Sequence, residues 1–246
     1  MLPQRINLIA YSTLAVIICY IDRVNISVAI IPMQEQFGWS DSQVGFIFSS
    51  FYLGYMLTMA LGGYLSDKFG GKRVLGWGVV LWSIFTILTP LAAHNGFFAL
   101  FFIRILMGIG EGVTFPAWHS LYARWIPFNE RTRAIAFTNS GVSIGTIIGY
   151  IGTQMIILAM GWEWAFYIFG IVGLVWFIFW NRNVTSYPNE HKRISAEELA
   201  YIQENAPSSE PAKKIPLRQL LVNKPFLAIV AATFANNWSL FVFLSF

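Results

Sequence analysis

Two stretches, Val44–Tyr64 and Val74–Ala93, contain no Asp, Glu, Lys or Arg, and they constrain this chain more than any other feature. Each is about twenty residues long, the length at which a helix crosses a hydrocarbon core of roughly 30 Å. Similar apolar stretches place further spans at 8–31, 97–121, 134–158 and 164–180, with a seventh at 226–246. Charged residues make up 11% of the 246 positions, against about 25% in an ordinary soluble domain, so the side chains needed to solvate a globule of this size are missing. The sequence therefore predicts an all-α integral membrane protein with the lipid bilayer as its solvent.

The cations then orient the spans. Of the sixteen Lys and Arg residues, fourteen fall on one side: Arg5, the group Lys68, Lys72 and Arg73, the group Arg124, Arg131 and Arg133, and seven from Arg182 to Lys224. Arg23 and Arg104 lie inside spans, and the opposite loops around Gln34, His94 and Trp162 hold none. This asymmetry predicts a cytoplasmic N-terminus and a multi-pass protein of a cell inner or plasma membrane. It also excludes nucleic-acid binding, because the basic residues are divided among membrane loops and form no soluble face. The apolar stretch from Leu8 to Pro32 is too long for a signal peptide and reads as a retained first span.

The segment 182–224 differs in composition from the rest. Ser195-Ala-Glu-Glu198 has the spacing of a capping box, and Ala196, Leu199 and Ile202 recur at helical intervals, predicting a short amphipathic helix that stops before Pro207. Pro207 to Pro216, with Lys213 and Lys214, reads as a flexible basic connector. The expected organisation is a six-span bundle at 1–181, a solvated linker at 182–224 and a seventh span at 225–246.

Four ionisable residues stand at bilayer depth, where each costs about 2.5–3.5 kcal/mol on insertion scales: Asp22, Arg23, Arg104 and Glu111. Such residues face the protein interior or a watery cavity. Arg104 and Glu111 are seven apart, two turns along one face, and so look into the same space. Asp22 and Arg23 differ by about 100° around their helix and point different ways. Gly108, Gly110 and Gly112 bracket Glu111 and Pro116 follows, so the fourth span is easily bent beside its acid. Gly141, Gly145 and Gly149 form a small-residue ridge in the fifth.

Gly63-Tyr-Leu-Ser-Asp67-Lys-Phe-Gly70-Gly71-Lys72-Arg73, in the basic turn after span two, resembles the signature of the major facilitator superfamily. The resemblance implies a gating role for Asp67, Lys68, Lys72 and Arg73. Tyr20-Ile-Asp22-Arg23-Val-Asn25 in span one, and Arg104 through Gly110-Glu111-Gly112 to Pro116 and His119 in span four, are similar to the anion:cation symporter family, in its branch of sialin, vesicular glutamate transporters and bacterial sugar-acid symporters. The likeness extends through His191-Lys-Arg-Ile-Ser195 and Asn237-Trp238. It implies Asp22 and Glu111 as proton-coupling acids, and Arg23, Arg104, Tyr20, Asn25 and Tyr55 as substrate-binding groups; His119 is read as structural. The sequence departs from the family at Met59-Ala60-Leu61, ahead of Gly62-Gly63, and near Ser143.

The expected protein is therefore a transporter and not an enzyme, needing no cofactor: proton-coupled symport of a small organic anion, such as a sugar acid. Phosphate, dicarboxylate or acidic amino acid transport with sodium as coupling ion is the alternative. Because such transporters have twelve spans in two halves, the chain is expected to be a fragment, the N-terminal six-helix bundle plus the start of a seventh helix, with a C-terminal six-helix half in the full-length protein. A seven-helix receptor or ion pump is the rival for a chain of this size. It would need a span-seven lysine for a retinal Schiff base, and 226–246 holds none.

Overall fold

The computed structural model describes residues 3–205 and scattered positions between 222 and 235. The helices are α1 (Gln4–Phe37), α2 (Asp41–Phe69), α3 (Gly71–His94), α4 (Phe97–Glu111), α5 (Thr114–Trp125), α6 (Phe128–Met160), α7 (Trp162–Asn183) and α8 (Ala196–Asn205), with a 3-10 turn at Pro188–Glu190. No strand occurs among the described residues. Among the described residues five spans are long and apolar enough to cross a membrane, with α4 and α5 together forming one of them, and α2 is a sixth, bent by 48° between Asp41–Met59 and Leu61–Phe69. The six predicted spans are thus present, most of them a few residues longer than expected. The chain divides into two compact units, Met1–Pro207 and Ser208–Phe246. The predicted connector from Pro207 to Pro216, most of the predicted seventh span and Asn237-Trp238 lie outside the described residues.

The connections show why the helices stop where they do. At the start of α2, Ser40 and Gln43 form a reciprocal cap: the Ser40 amide donates to Gln43 Oε1 at 2.9 Å, and the Gln43 amide donates to Ser40 Oγ at 3.4 Å. Gly70 turns α2 into α3 with φ 84°, a conformation that a side chain rarely adopts. Among the described residues two large apolar clusters, with a small third one around Ile21, Ala165 and Phe169, fill the bundle. One, toward the end that carries the N-terminus, gathers Trp82, Trp118, Tyr122, Trp125 and Trp180. The other, toward the opposite end, gathers Ile26, Met33, Trp39, Leu100, Trp162 and Phe166.

In a bilayer the outside of a helix is as apolar as its inside, so hydrophobicity does not mark the packed face; small residues do. α6 shows this. Ile147, Ile151 and Leu158 are exposed, whereas Gly141, Gly145 and Gly149 are buried against α1. A β-carbon on Gly145 would stand 2.5 Å from the Ile17 carbonyl oxygen and 3.0 Å from Ile17 Cα, so the predicted ridge is a backbone-to-backbone seam. Gly145→Val is expected to cost about 1–3 kcal/mol by overpacking. Gly152→Ala, whose added methyl meets only Phe169 Cζ at 3.5 Å, is expected to leave stability unchanged. Thermal unfolding of the detergent-solubilised protein separates the two variants.

The expectation of a solvated linker is corrected around α8. Ile202 is 1% exposed and packs into the first cluster. Half of the capping box forms, with the Glu198 amide donating to Ser195 Oγ at 3.1 Å. The Glu198 carboxylate, however, serves a different helix: it accepts from the Gln4 amide at 2.9 Å and the Arg5 amide at 3.0 Å. Those are two of the unsatisfied donors at the start of α1, where Pro3 has no side chain to offer. Arg5 in turn pairs with Glu130 of α6 at 2.9 Å, and Tyr201 Oη donates to Glu130 Oε1 at 3.1 Å. α8 is therefore fastened to α1 and α6. Glu198→Ala is expected to cost about 1 kcal/mol, as loss of an N-cap does, and to speed amide exchange in α8 and the first turn of α1 while leaving α3 unchanged.

Candidate functional site

α1 and α4 bring two of the four membrane-depth charges into direct contact. Arg23 Nη2 lies 2.9 Å from Glu111 Oε2, and Nε donates to the same oxygen at 3.2 Å. Glu111 is fully buried and the Arg23 side chain is 13% exposed, so this ion pair sits at the edge of the accessible space. Arg104 and Glu111 make no ion pair or hydrogen bond with each other, and the cation that Glu111 takes comes from α1.

Arg23 is caged by aromatic rings. Its guanidinium carbon is 4.8 Å from the Tyr20 centroid, 4.8 Å from that of Tyr55 and 5.2 Å from that of Phe51. Planar guanidinium suits such stacking while its N–H fork stays free for a carboxylate. Phe51 also lies 4.9 Å from the Arg104 guanidinium carbon, so one ring stands between the two cations. Sequence reasoning missed Phe51. Its only signal is its position one turn before Tyr55, and many of the 22 Phe residues stand at comparable intervals.

The other expected site residues are placed as follows. Arg104 is 2% exposed; Nη1 reaches Met107 Sδ at 3.7 Å, and Nε has no hydrogen-bond partner. Asp22 is 1% exposed, and neither of its carboxylate oxygens has a hydrogen-bond partner. Asn25 is fully buried beside α6, where its Oδ1 accepts from Thr153 Oγ1 at 3.3 Å. Close packing of α4 permits this crowding: a β-carbon on Gly108 would collide with the Phe51 carbonyl oxygen of α2. The helix breaks at Gly112–Val113, immediately after Glu111.

Toward the basic end, Asp67 Oδ1 faces Arg124 Nη2 at 3.9 Å and accepts from Ser120 Oγ at 3.5 Å. Arg124 was not singled out in the sequence for this role. Lys68 lies over the rings of Phe69 and Tyr64, Lys72 donates to the Asn181 carbonyl at 2.9 Å, and Arg73 is exposed. His119 stacks on Trp118 with ring centroids 3.7 Å apart.

The model of the Major Facilitator Superfamily matches residues 12–246. The chain belongs to the major facilitator superfamily. Three plant proteins are similar over 99% of this chain. They are rice (Oryza sativa subsp. japonica) "Probable anion transporter 4, chloroplastic" at 43% identity, and from Arabidopsis thaliana the "Sodium-dependent phosphate transport protein 1, chloroplastic" at 42% and the "Ascorbate transporter, chloroplastic" at 41%. The matches cover 41%, 48% and 45% of those proteins, so this major facilitator chain spans about half the length of the curated relatives it matches. The fold is shared with a bacterial homologue of the lysosomal transporter Spinster (TM-score 0.66, 23% identity, 89% of this chain and 48% of that one). It is shared also with a proton:xylose symporter (TM-score 0.68, 20% identity, 82% and 49%). The six-helix bundle is the N-terminal half of the major facilitator fold.

Proposed function

We propose that the chain forms the N-terminal half of a secondary active transporter that carries a small organic anion together with protons by alternating access. One observation carries the reading: the caged Arg23 already holds a carboxylate, and that carboxylate is the protein's own Glu111 at 2.9 Å. A substrate carboxylate presents the same chemistry, so the two compete for one guanidinium. Protonation of Glu111 removes its charge, frees Arg23 and leaves the loaded carrier less charged for reorientation. Asp22, buried beside the Trp82 indole and within reach of the Arg104 charge, is the second proton carrier in this reading. Arg104, with its unsatisfied Nε, together with Tyr20 and Tyr55, completes the half-site on this side of the cavity, and Asn25 is held behind it against Thr153 of α6; the other half of the protein supplies the rest. Asp67, Lys68, Lys72 and Arg73, joined by Arg124, form the gate at the basic end.

Two arginines with phenolic hydroxyls close by suit a hydroxylated monoanion such as a sugar acid. A relative named for ascorbate, itself a hydroxylated anion, supports that choice. The second reading, sodium-coupled phosphate transport, is favoured by the relative named for it. By the positive-inside rule we place the N-terminus on the cytoplasmic side of an inner or plasma membrane; the relatives' names place those proteins in chloroplasts.

Uptake by the intact transporter in proteoliposomes tests the reading, with sugar acids, ascorbate, dicarboxylates, glutamate and phosphate offered separately. Accumulation of a sugar acid or ascorbate under a proton gradient in sodium-free buffer is the expected result. Accumulation of phosphate under a sodium gradient alone would replace it with the second reading, and indifference to every anion would overturn both.

A further inference from the structure

Glu111 is held by one of its oxygens only. Oε2 receives Arg23 Nε at 3.2 Å, Arg23 Nη2 at 2.9 Å and the thiol of Cys19 at 3.2 Å, whereas Oε1 is buried with no hydrogen-bond partner. Cys19 and Arg23 are one helical turn apart on α1, so both reach the same carboxylate, and Arg23 Nη2 lies 3.8 Å from the Cys19 sulfur. The thiol is fully buried. An alanine or a valine would continue the helix at this position but would bring no donor to Oε2.

The geometry points to Cys19 as a positioning residue for Glu111: its S–H fixes the carboxylate with Oε2 against Arg23, so that Oε1 alone is presented to the incoming proton. The inference rests on the proposed role of Glu111 as the coupling acid. The last torsion of a glutamate is broad and roughly two-fold, so nothing intrinsic to the side chain keeps its oxygens in distinct places. With the thiol in place, proton and guanidinium use different atoms of one carboxylate. Without it the carboxylate is free to turn until the guanidinium fork engages both oxygens, and the proton then competes with Arg23 for Oε1. The other charged or titratable groups acting on this cluster are Asp22 and Tyr20 from α1, Tyr55 from α2 and Arg104 from α4 itself. Neither Asp22 nor Arg104 donates to Oε1, which leaves that oxygen as the open position.

The test uses the intact transporter, as wild type and as Cys19→Ser, Cys19→Ala and Cys19→Val. Cys19→Ala and Cys19→Val are expected to lose roughly fivefold of ion-driven accumulation, in line with one ordinary hydrogen bond from a weak donor, with KM for the anion changed less than about twofold. Cys19→Ser, which keeps a donor, is expected to stay within about twofold of wild type in accumulation. The infrared S–H stretching band of Cys19, assigned by its loss in Cys19→Ser, is expected to sit at the hydrogen-bonded position in wild type and to move to the free-thiol position in Glu111→Ala. That band reports the contact whatever ion drives transport. If wild type shows no proton-driven accumulation, the proposed coupling falls. The positioning role is then decided by the band and by accumulation under the ion that does drive uptake. An S–H band unmoved in Glu111→Ala, wild-type accumulation in Cys19→Ala, or a Cys19→Ser variant as impaired as Cys19→Ala would each overturn the inference.

Discussion

Arg23→Ala is expected to abolish uptake by the intact transporter and also to lower its unfolding temperature, and only the second effect is expected to disappear when Glu111→Gln is added to the same chain. The pair is buried and close, at 2.9 Å, with Glu111 inaccessible. Removing one member of such a pair leaves a stranded charge and costs about 3–5 kcal/mol, whereas removing both charges is close to neutral. A glutamine at 111 has no charge to strand. Its amide still meets the Cys19 thiol at one oxygen, so the double variant regains most of the lost stability. Uptake does not return, because the guanidinium that would take the substrate carboxylate is gone. Arg23→Lys separates charge from geometry: an ammonium pairs with Glu111 but offers no planar fork of parallel N–H groups to a carboxylate and cannot stack flat among Tyr20, Phe51 and Tyr55. Thermal unfolding in detergent and uptake in proteoliposomes, run on the four proteins, give the comparison. Equal destabilisation of the single and double variants would show that the ion pair contributes little.

The second large effect concerns the acid alone. Glu111→Gln is expected to reduce gradient-driven accumulation to the level reached by equilibration, about one-to-one across the membrane, while exchange of anion down its own gradient continues. A glutamine resembles the protonated acid in shape and in having no charge, so it leaves Arg23 free for the substrate at every pH. It cannot give a proton back. The carrier is therefore trapped in the state that binds anion and has no means of linking that binding to proton movement. Counterflow measured beside accumulation distinguishes the two activities. Full accumulation by this variant would move the coupling role to Asp22.

The spans were legible because bilayer thickness fixes their length, and the packed face of α6 because only small residues allow backbones to come close, though not that α1 would be its partner. Arg23, Arg104, Asp22 and Glu111 stood out because charge is costly at that depth. Their pairing did not. Spacing along a single helix puts Arg104 and Glu111 on one face, but the partner that Glu111 takes comes from α1, and a sequence carries no measure of distance between helices. Phe51 was hidden for a related reason: its placement between two cations exists only once α1, α2 and α4 are packed. Glu198 shows the limit of local motifs. Its spacing from Ser195 fits a capping box, yet its carboxylate caps a helix almost two hundred positions earlier, where Pro3 leaves the first amides unsatisfied.

The break at Gly112–Val113 divides what would otherwise be one helix into a segment that holds Arg104 and Glu111 and a segment that holds Arg124 against Asp67. The two segments remain one span, yet each packs on its own partners, the first on Phe51 and the second on Asp67. In the reading we propose, cargo could therefore change at one end of the span while the gate at the other is kept. That separation suits a group in which proteins almost equally similar to this chain, at 42% and 41% identity, carry names as different as phosphate and ascorbate.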